Sequence, residues 1–146
     1  MPLWHIYCPS DAYTPQDKED FADTISELYV KHAQLPKFYV SVAFHEMPAG
    51  SLFIGGRANN RFVRIWIDQI ARRMQPERIE PWLKVIAEAI APWVADRGLG
   101  WDLHGDETPL KFWTIEGLVP PPGGSEEEMR WARDGFASPP PEAHTM

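Results

Sequence analysis

A single cysteine, Cys8, leaves this chain without the means to form an internal disulfide. Basic residues are also scarce, with 14 Lys and Arg against 21 Asp and Glu and a formal charge of −7. That balance argues against nucleic acid as the main partner, because neutralising phosphates needs clustered Lys and Arg. A local cationic pair can still hold a small anion. No signal-peptide pattern and no run of about 18 apolar residues is present, so no membrane partner is expected and the chain is placed in the cytoplasm. Gly55-Gly56 is not followed by a helix carrying a Lys-Ser/Thr pair, which removes the phosphate-loop reading. His5, His45 and His104 with Cys8 match no zinc spacing and fall singly on strands, so no metal is expected. Ser10 and Ser41 lack a visible partner for a hydrolytic triad.

What is present is a 146-residue chain, 44% hydrophobic, long enough to bury one core. Seven Trp, seven Phe and four Tyr supply more aromatic area than a lone subunit must bury, and part of it is expected between subunits. Leu3 to Tyr7 reads as a strand stopped by Pro9-Ser10-Asp11. Thr14-Pro15 is an N-cap with proline at the first helical position, and Phe21, Ile25, Leu28 and Tyr29 recur at helical spacing, giving a helix over 15–33. Leu35-Pro36 breaks it, and Phe38, Val40, Val42 and Phe44 alternate along a second strand.

The same order then repeats. A short strand covers 52–54, and Arg61 to Asp68 is a further strand with Val63, Ile65 and Ile67 on one face. Its other face, with Phe62, Arg64, Trp66 and Asp68, suits a subunit contact. Ile79, Trp82, Leu83, Ile86, Ile90 and Val94 line a helix from about 77 to 97, kinked at Pro92 and stopped at Gly98. Gly100 to His104 closes the second unit. Two strand-helix-strand units side by side predict an α+β fold: a four-stranded, mainly parallel or mixed sheet with both helices on one face. Leu110 to Glu116 reads as one or two helical turns, Ser125-Glu126-Glu127-Glu128 begins a last helix, and Trp101, Phe112 and Trp113 are expected to pack in the core. A single domain over 1–137 and a loose Pro-rich tail over 138–146 complete the organisation.

The sequence begins Met1-Pro2. Removal of the methionine leaves Pro2 with a free secondary amine, and burial of that amine disfavours its charged form, suiting it to act as a general base near neutrality. Many chains begin with these two residues for no chemical reason. Arg72 reads either as a surface arginine or as a bidentate clamp for a carboxylate. Tyr29 reads either as a packing aromatic or as a hydrogen-bond donor to an enolate.

The chain resembles the tautomerase superfamily, in its cis-3-chloroacrylic acid dehalogenase-like branch, especially the fungal proteins of that branch. The likeness is carried by Pro2, Tyr13-Thr14-Pro15, Phe44 with Glu46, Pro48-Ala49-Gly50, Phe53-Ile54-Gly55-Gly56, Val63-Arg64-Ile65, Asp68 to Arg72, Asp106 to Pro109 and Gly117 to Pro122. It implies a β-α-β pseudo-repeat, a homotrimer and an active site around the N-terminal proline. By that likeness Pro2 matches the catalytic proline and Arg72 the first of two carboxylate-binding arginines, the second falling near Gln75 with Arg73 beside it. Tyr29 stands where the dehalogenase has a histidine, Leu103 where it has a tyrosine, and Ile115 where it has the water-activating glutamate, with Glu116 adjacent. These departures weigh against dehalogenation and hydration and leave proton transfer by Pro2 untouched.

The expectation is therefore a cofactor-independent tautomerase or isomerase acting on a small 2-oxo, enol or unsaturated carboxylate. Pro2, Arg72 and Tyr29 are its expected catalytic residues, and Arg73 and Glu116 its expected substrate contacts. The alternatives are a trimeric binding protein with reduced turnover, a hydratase or dehalogenase, or a biosynthetic isomerase with a larger substrate.

Overall fold

A computed structural model describes residues 1–142. Strand β1 (Pro2–Pro9) alternates so that Pro2, Trp4, Ile6 and Cys8 are buried while Leu3, His5 and Tyr7 face the other way. Helix α1 (Pro15–Ala33) starts at Thr14, whose hydroxyl accepts from the Asp17 amide while Asp17 accepts from the Thr14 amide, a reciprocal capping box. It buries Phe21, Ile25, Leu28 and Tyr29 and ends at Gln34 in the left-handed region. Strand β2 (Ser41–Met47) then returns parallel to β1.

Short strands β3 (Phe53–Ile54) and β4 (Arg57–Ala58) make a hairpin apart from the main sheet. Strand β5 (Phe62–Ile70) runs antiparallel to β1, with Pro2 opposite Gln69. Helix α2 (Pro76–Ile90) and strand β6 (Gly100–Thr108), parallel to β5, close the second unit. The sheet order is β2-β1-β5-β6, mixed as expected from two crossover units placed side by side. The core lies between sheet and helices, where Trp4, Ile6, Val63 and Ile65 meet Phe21, Ile25, Ile86 and Ile90.

Several boundaries differ from the sequence reading for physical reasons. Phe38 lies in a 3-10 turn, Lys37–Tyr39, so β2 begins only at Ser41. Pro92 does not kink a long helix; α2 stops at Ile90 and two 3-10 turns, Ala91–Trp93 and Ala95–Arg97, replace its end, since proline lacks the amide that an α-helical turn needs. Ile79 and Leu83, on the apolar face read for this helix, are 41% and 42% exposed. Only the 3-10 turn Leu110–Phe112 forms in the segment 110–116, and Phe112 is exposed whereas Trp113 is buried.

Helix α3 (Glu126–Asp134), capped by Ser125, buries Trp131 and Glu128. The expected loose tail starts at Ser138. There Arg130 donates to the Ser138 and Pro139 carbonyls and the Trp131 indole to the Ser138 carbonyl. Residues 143–146, at the end of that tail, lie outside the described residues.

Among the described residues, no helix covers the far side of the sheet. Across it Tyr7 stacks on His45, His45 on His5, His5 on Trp66 and Trp66 on His104, a row of rings crossing all four strands. His5 Nδ1 and His45 Nε2 share a hydrogen bond of 2.8 Å.

Candidate active site

The register that puts Pro2 opposite Gln69 also brings the chain start to the turn after β5. That turn is sharp because Ala71 takes φ 79°, a left-handed conformation that costs a non-glycine residue about 1–2 kcal/mol. It is pinned by the Ala71 amide donating to the Thr108 carbonyl at 2.8 Å and the Ile70 amide to the Met1 carbonyl at 3.0 Å. The strain has a visible result: Arg72 and Arg73 are thrown back toward Pro2. Together with the end of α1 and the start of α2 they enclose a cavity of about 330 Å³.

Pro2, Tyr29, Gln69, Trp82, Arg72, Arg73 and Arg78 all line this cavity, and no Asp or Glu does. Three guanidinium groups in one concavity make it a site for an anion. Tyr29 is fully packed, edge-on to both Trp4 and Trp82. Its hydroxyl accepts from the Trp4 indole at 2.9 Å and donates to Gln69 Oε1 at 2.8 Å. Burial pushes that phenol well above the ordinary range, so it stays protonated. In this arrangement the single hydroxyl proton is directed to Gln69 Oε1 while the hydroxyl oxygen accepts from Trp4.

Arg72 donates from Nη1 to the Ala33 carbonyl at 2.7 Å, satisfying an orphan acceptor at the end of α1. From Nη2 it donates to Glu128 Oε1 at 3.0 Å. Arg73 is exposed and faces both this cavity and a neighbouring one toward Pro109. Glu116 is exposed, with φ 49°, in the turn closed by the Ile115–Leu118 bridge, and it does not line the cavity. The structure therefore gathers Pro2, Arg72, Arg73 and Tyr29 and leaves Glu116 apart.

Met1 is present, so the Pro2 nitrogen is here an amide. The Met1 amine donates to the Ile70 carbonyl at 2.7 Å. Burial first and the Arg72 charge second hold this amine down at about 5, against opposing contributions from Glu128 and Asp68. The Met1 amine is therefore neutral at pH 7.

Sequence reasoning missed Gln69, Arg78 and Glu128. Gln69 continues the inward alternation of Val63, Ile65 and Ile67, and extending the strand by two residues finds it. Arg78 occupies the first turn of α2. Glu128 stands three residues after its N-cap, where a carboxylate ordinarily returns to the cap amide, so nothing in the sequence marks it as facing a distant arginine. Among the described residues, no group of three or more His, Cys, Asp or Glu is placed to hold a metal ion, and no helix is long and apolar enough to cross a membrane.

Comparison with known proteins agrees with this geometry. The profile of a tautomerase family, described as "Putative oxalocrotonate tautomerase enzyme", matches residues 1–135, and the chain belongs to that family. Among solved structures, RhCC from Rhodococcus jostii RHA1 is 43% identical over 94% of this chain and 99% of its own, with a TM-score of 0.91. A probable enzyme from the thermophilic fungus Aspergillus fumigatus is 38% identical over 95% of this chain and 97% of its own, with a TM-score of 0.89. N1, a member of the cis-3-chloroacrylic acid dehalogenase family, shares the fold at 22% identity and a TM-score of 0.73, covering 87% of this chain and 89% of its own. A fused 4-OT asymmetric trimer shares it at 18% identity and a TM-score of 0.65, covering 80% of this chain and 94% of its own. No curated protein matches the chain.

Proposed function

We propose that this protein is a cofactor-independent isomerase that moves a proton on a small 2-oxo, enol or unsaturated carboxylate, using the amine of Pro2 after Met1 is removed. The observation that carries this reading is the single cavity in which Pro2 meets three arginines and no acid. A buried amine beside a guanidinium is neutral and therefore basic near pH 7, the requirement for a general base. The arginines take the substrate carboxylate, fixing the adjacent carbon over the nitrogen. Pro2 removes a proton from one end of the keto–enol system, and the ammonium so formed returns one to the other end. Substrate and product then differ only in the position of one hydrogen. Gln69, its oxygen engaged by Tyr29, offers its amide N–H groups to the developing enolate.

The sheet face that carries the row of rings has no helix over it among the described residues, which leaves the parallel pairs covered on one side only, an unusual state for such strands. We assign that face to contact with further copies of the chain as a homotrimer, in keeping with the trimeric fused 4-OT that shares the fold. The negative charge and the absence of a spanning helix among the described residues are in keeping with a cytoplasmic enzyme.

Intact mass identifies the N-terminal residue, and ketonisation of the enol of phenylpyruvate measures proton transfer. Replacing Pro2→Ala is expected to lower kcat/KM by about 10² to 10⁴-fold, the usual span for a general base. Equal rates for the two proteins, or a retained Met1 in the active enzyme, would overturn the assignment.

A further inference from the structure

Glu128 is the one charged side chain among the described residues that is deeply buried, at 5% exposure. It belongs to α3, beyond the second β-α-β unit, yet it reaches the cavity's arginine. Its Oε1 accepts from Arg72 Nη2 at 3.0 Å and from the Gly124 amide at 3.0 Å. The Ser125 amide, which this residue would serve in an ordinary capping box, donates to the Pro122 carbonyl at 3.1 Å instead. Gly123 lies flat against the same guanidinium: a Cβ there would stand 2.9 Å from Nη2 and 3.2 Å from both Cζ and Nε. A side chain at 123 would therefore push the guanidinium aside, and it is this close approach, not the backbone angles, that glycine serves here.

These contacts fix Arg72 from three sides: the Ala33 carbonyl, the Glu128 carboxylate and the Gly123 backbone. We propose that Glu128 is a positioning residue that aims the Arg72 fork and neutralises part of its charge, so that α3 tunes how tightly the cavity holds a carboxylate. The idea rests on the reading of the cavity as a carboxylate site. The pair is uneven, with the Glu128 side chain 7% and the Arg72 side chain 41% exposed, so the carboxylate is desolvated against a guanidinium that still opens to solvent and ligand. With Glu128 in place, the outward N–H groups of Arg72 and the forks of Arg73 and Arg78, unpaired among the described residues, are left for a substrate, and product carboxylate is released more readily than from an uncompensated arginine.

The substitution Glu128→Gln keeps an acceptor for Arg72 and Gly124 while removing the charge. It is expected to tighten binding of phenylpyruvate about 3- to 10-fold by titration calorimetry, with KM falling in step, and to move the N-terminal amine titration toward lower pH. Gly123→Ala, which displaces the guanidinium without changing charge, is expected to weaken the same binding about 10-fold. In an Arg72→Ala background the effect of Glu128→Gln on binding should vanish, as a double-mutant cycle requires of a residue acting through another. Unchanged ligand affinity and an unchanged amine titration in Glu128→Gln, with only a lower Tm, would reduce Glu128 to a structural brace and overturn the proposal. Binding and titration are read without turnover, so failure of Pro2 catalysis is separable from failure of this inference.

Discussion

The two β-α-β units have one layout and unequal finish. In the first, α1 is closed by a capping box, buries four side chains on one face and ends in a left-handed cap. In the second, α2 starts at Gln75 with no side-chain cap, carries Pro81 in its body, buries only Ile86 and Ile90, and breaks into 3-10 turns. The difference separates two tasks. The first unit is the rigid wall that holds Pro2 and Tyr29, while the second presents arginines from a strained turn and the open start of a helix, where reach matters more than packing.

The sharpest way to break the comparison is in the cores. Phe21→Ala, in a fully buried side chain of α1, is expected to cost about 3–5 kcal/mol in denaturant unfolding, whereas Leu83→Ala, at an exposed position of α2, should cost less than about 1 kcal/mol. Comparable losses would mean that α2 is covered in solution, and a loss at Leu83 that depends on protein concentration would place a second copy over it. A smaller effect sharpens it: Thr14→Ala removes the cap of α1 and is expected to cost about 1 kcal/mol. The corresponding Gln75→Ala should be nearly silent, because no cap hydrogen bond is lost.

Most of the architecture was legible from local signals. Thr14-Pro15, the alternation through Val63 to Ile67 and the apolar spacing in α1 are each set by chemistry within a few residues, and each matches the observed element. Local signals failed where the chain chose between helical types after Pro92 and where exposure depends on what lies opposite, as at Ile79, Leu83 and Phe112. In the site, Pro2 and Arg72 converge because β1 and β5 pair antiparallel, which the spacing of two units permits and the resemblance implied. Arg72 and Glu128 meet through a fold-level contact, 56 positions apart, that leaves no periodic trace. Tyr29 lines the cavity, and the partner of its hydroxyl proton, Gln69, is one that local sequence signals do not reveal.

The account rests on a neutral amine at the head of β1, so its titration is the decisive quantity. Burial and Arg72 penalise the protonated Met1 amine, and the same sign is expected for the Pro2 amine once Met1 is removed, so the base is active above its depressed pKa and is lost as pH falls through it. Heteronuclear NMR of protein carrying ¹⁵N-labelled proline, with Met1 removed, follows the Pro2 nitrogen directly. The expected result is a midpoint below neutrality that coincides with the acid limb of kcat/KM and moves upward in Arg72→Ala. A Pro2 amine that titrates in the ordinary range of a solvated amine, with a pH–rate profile indifferent to it, would contradict the account.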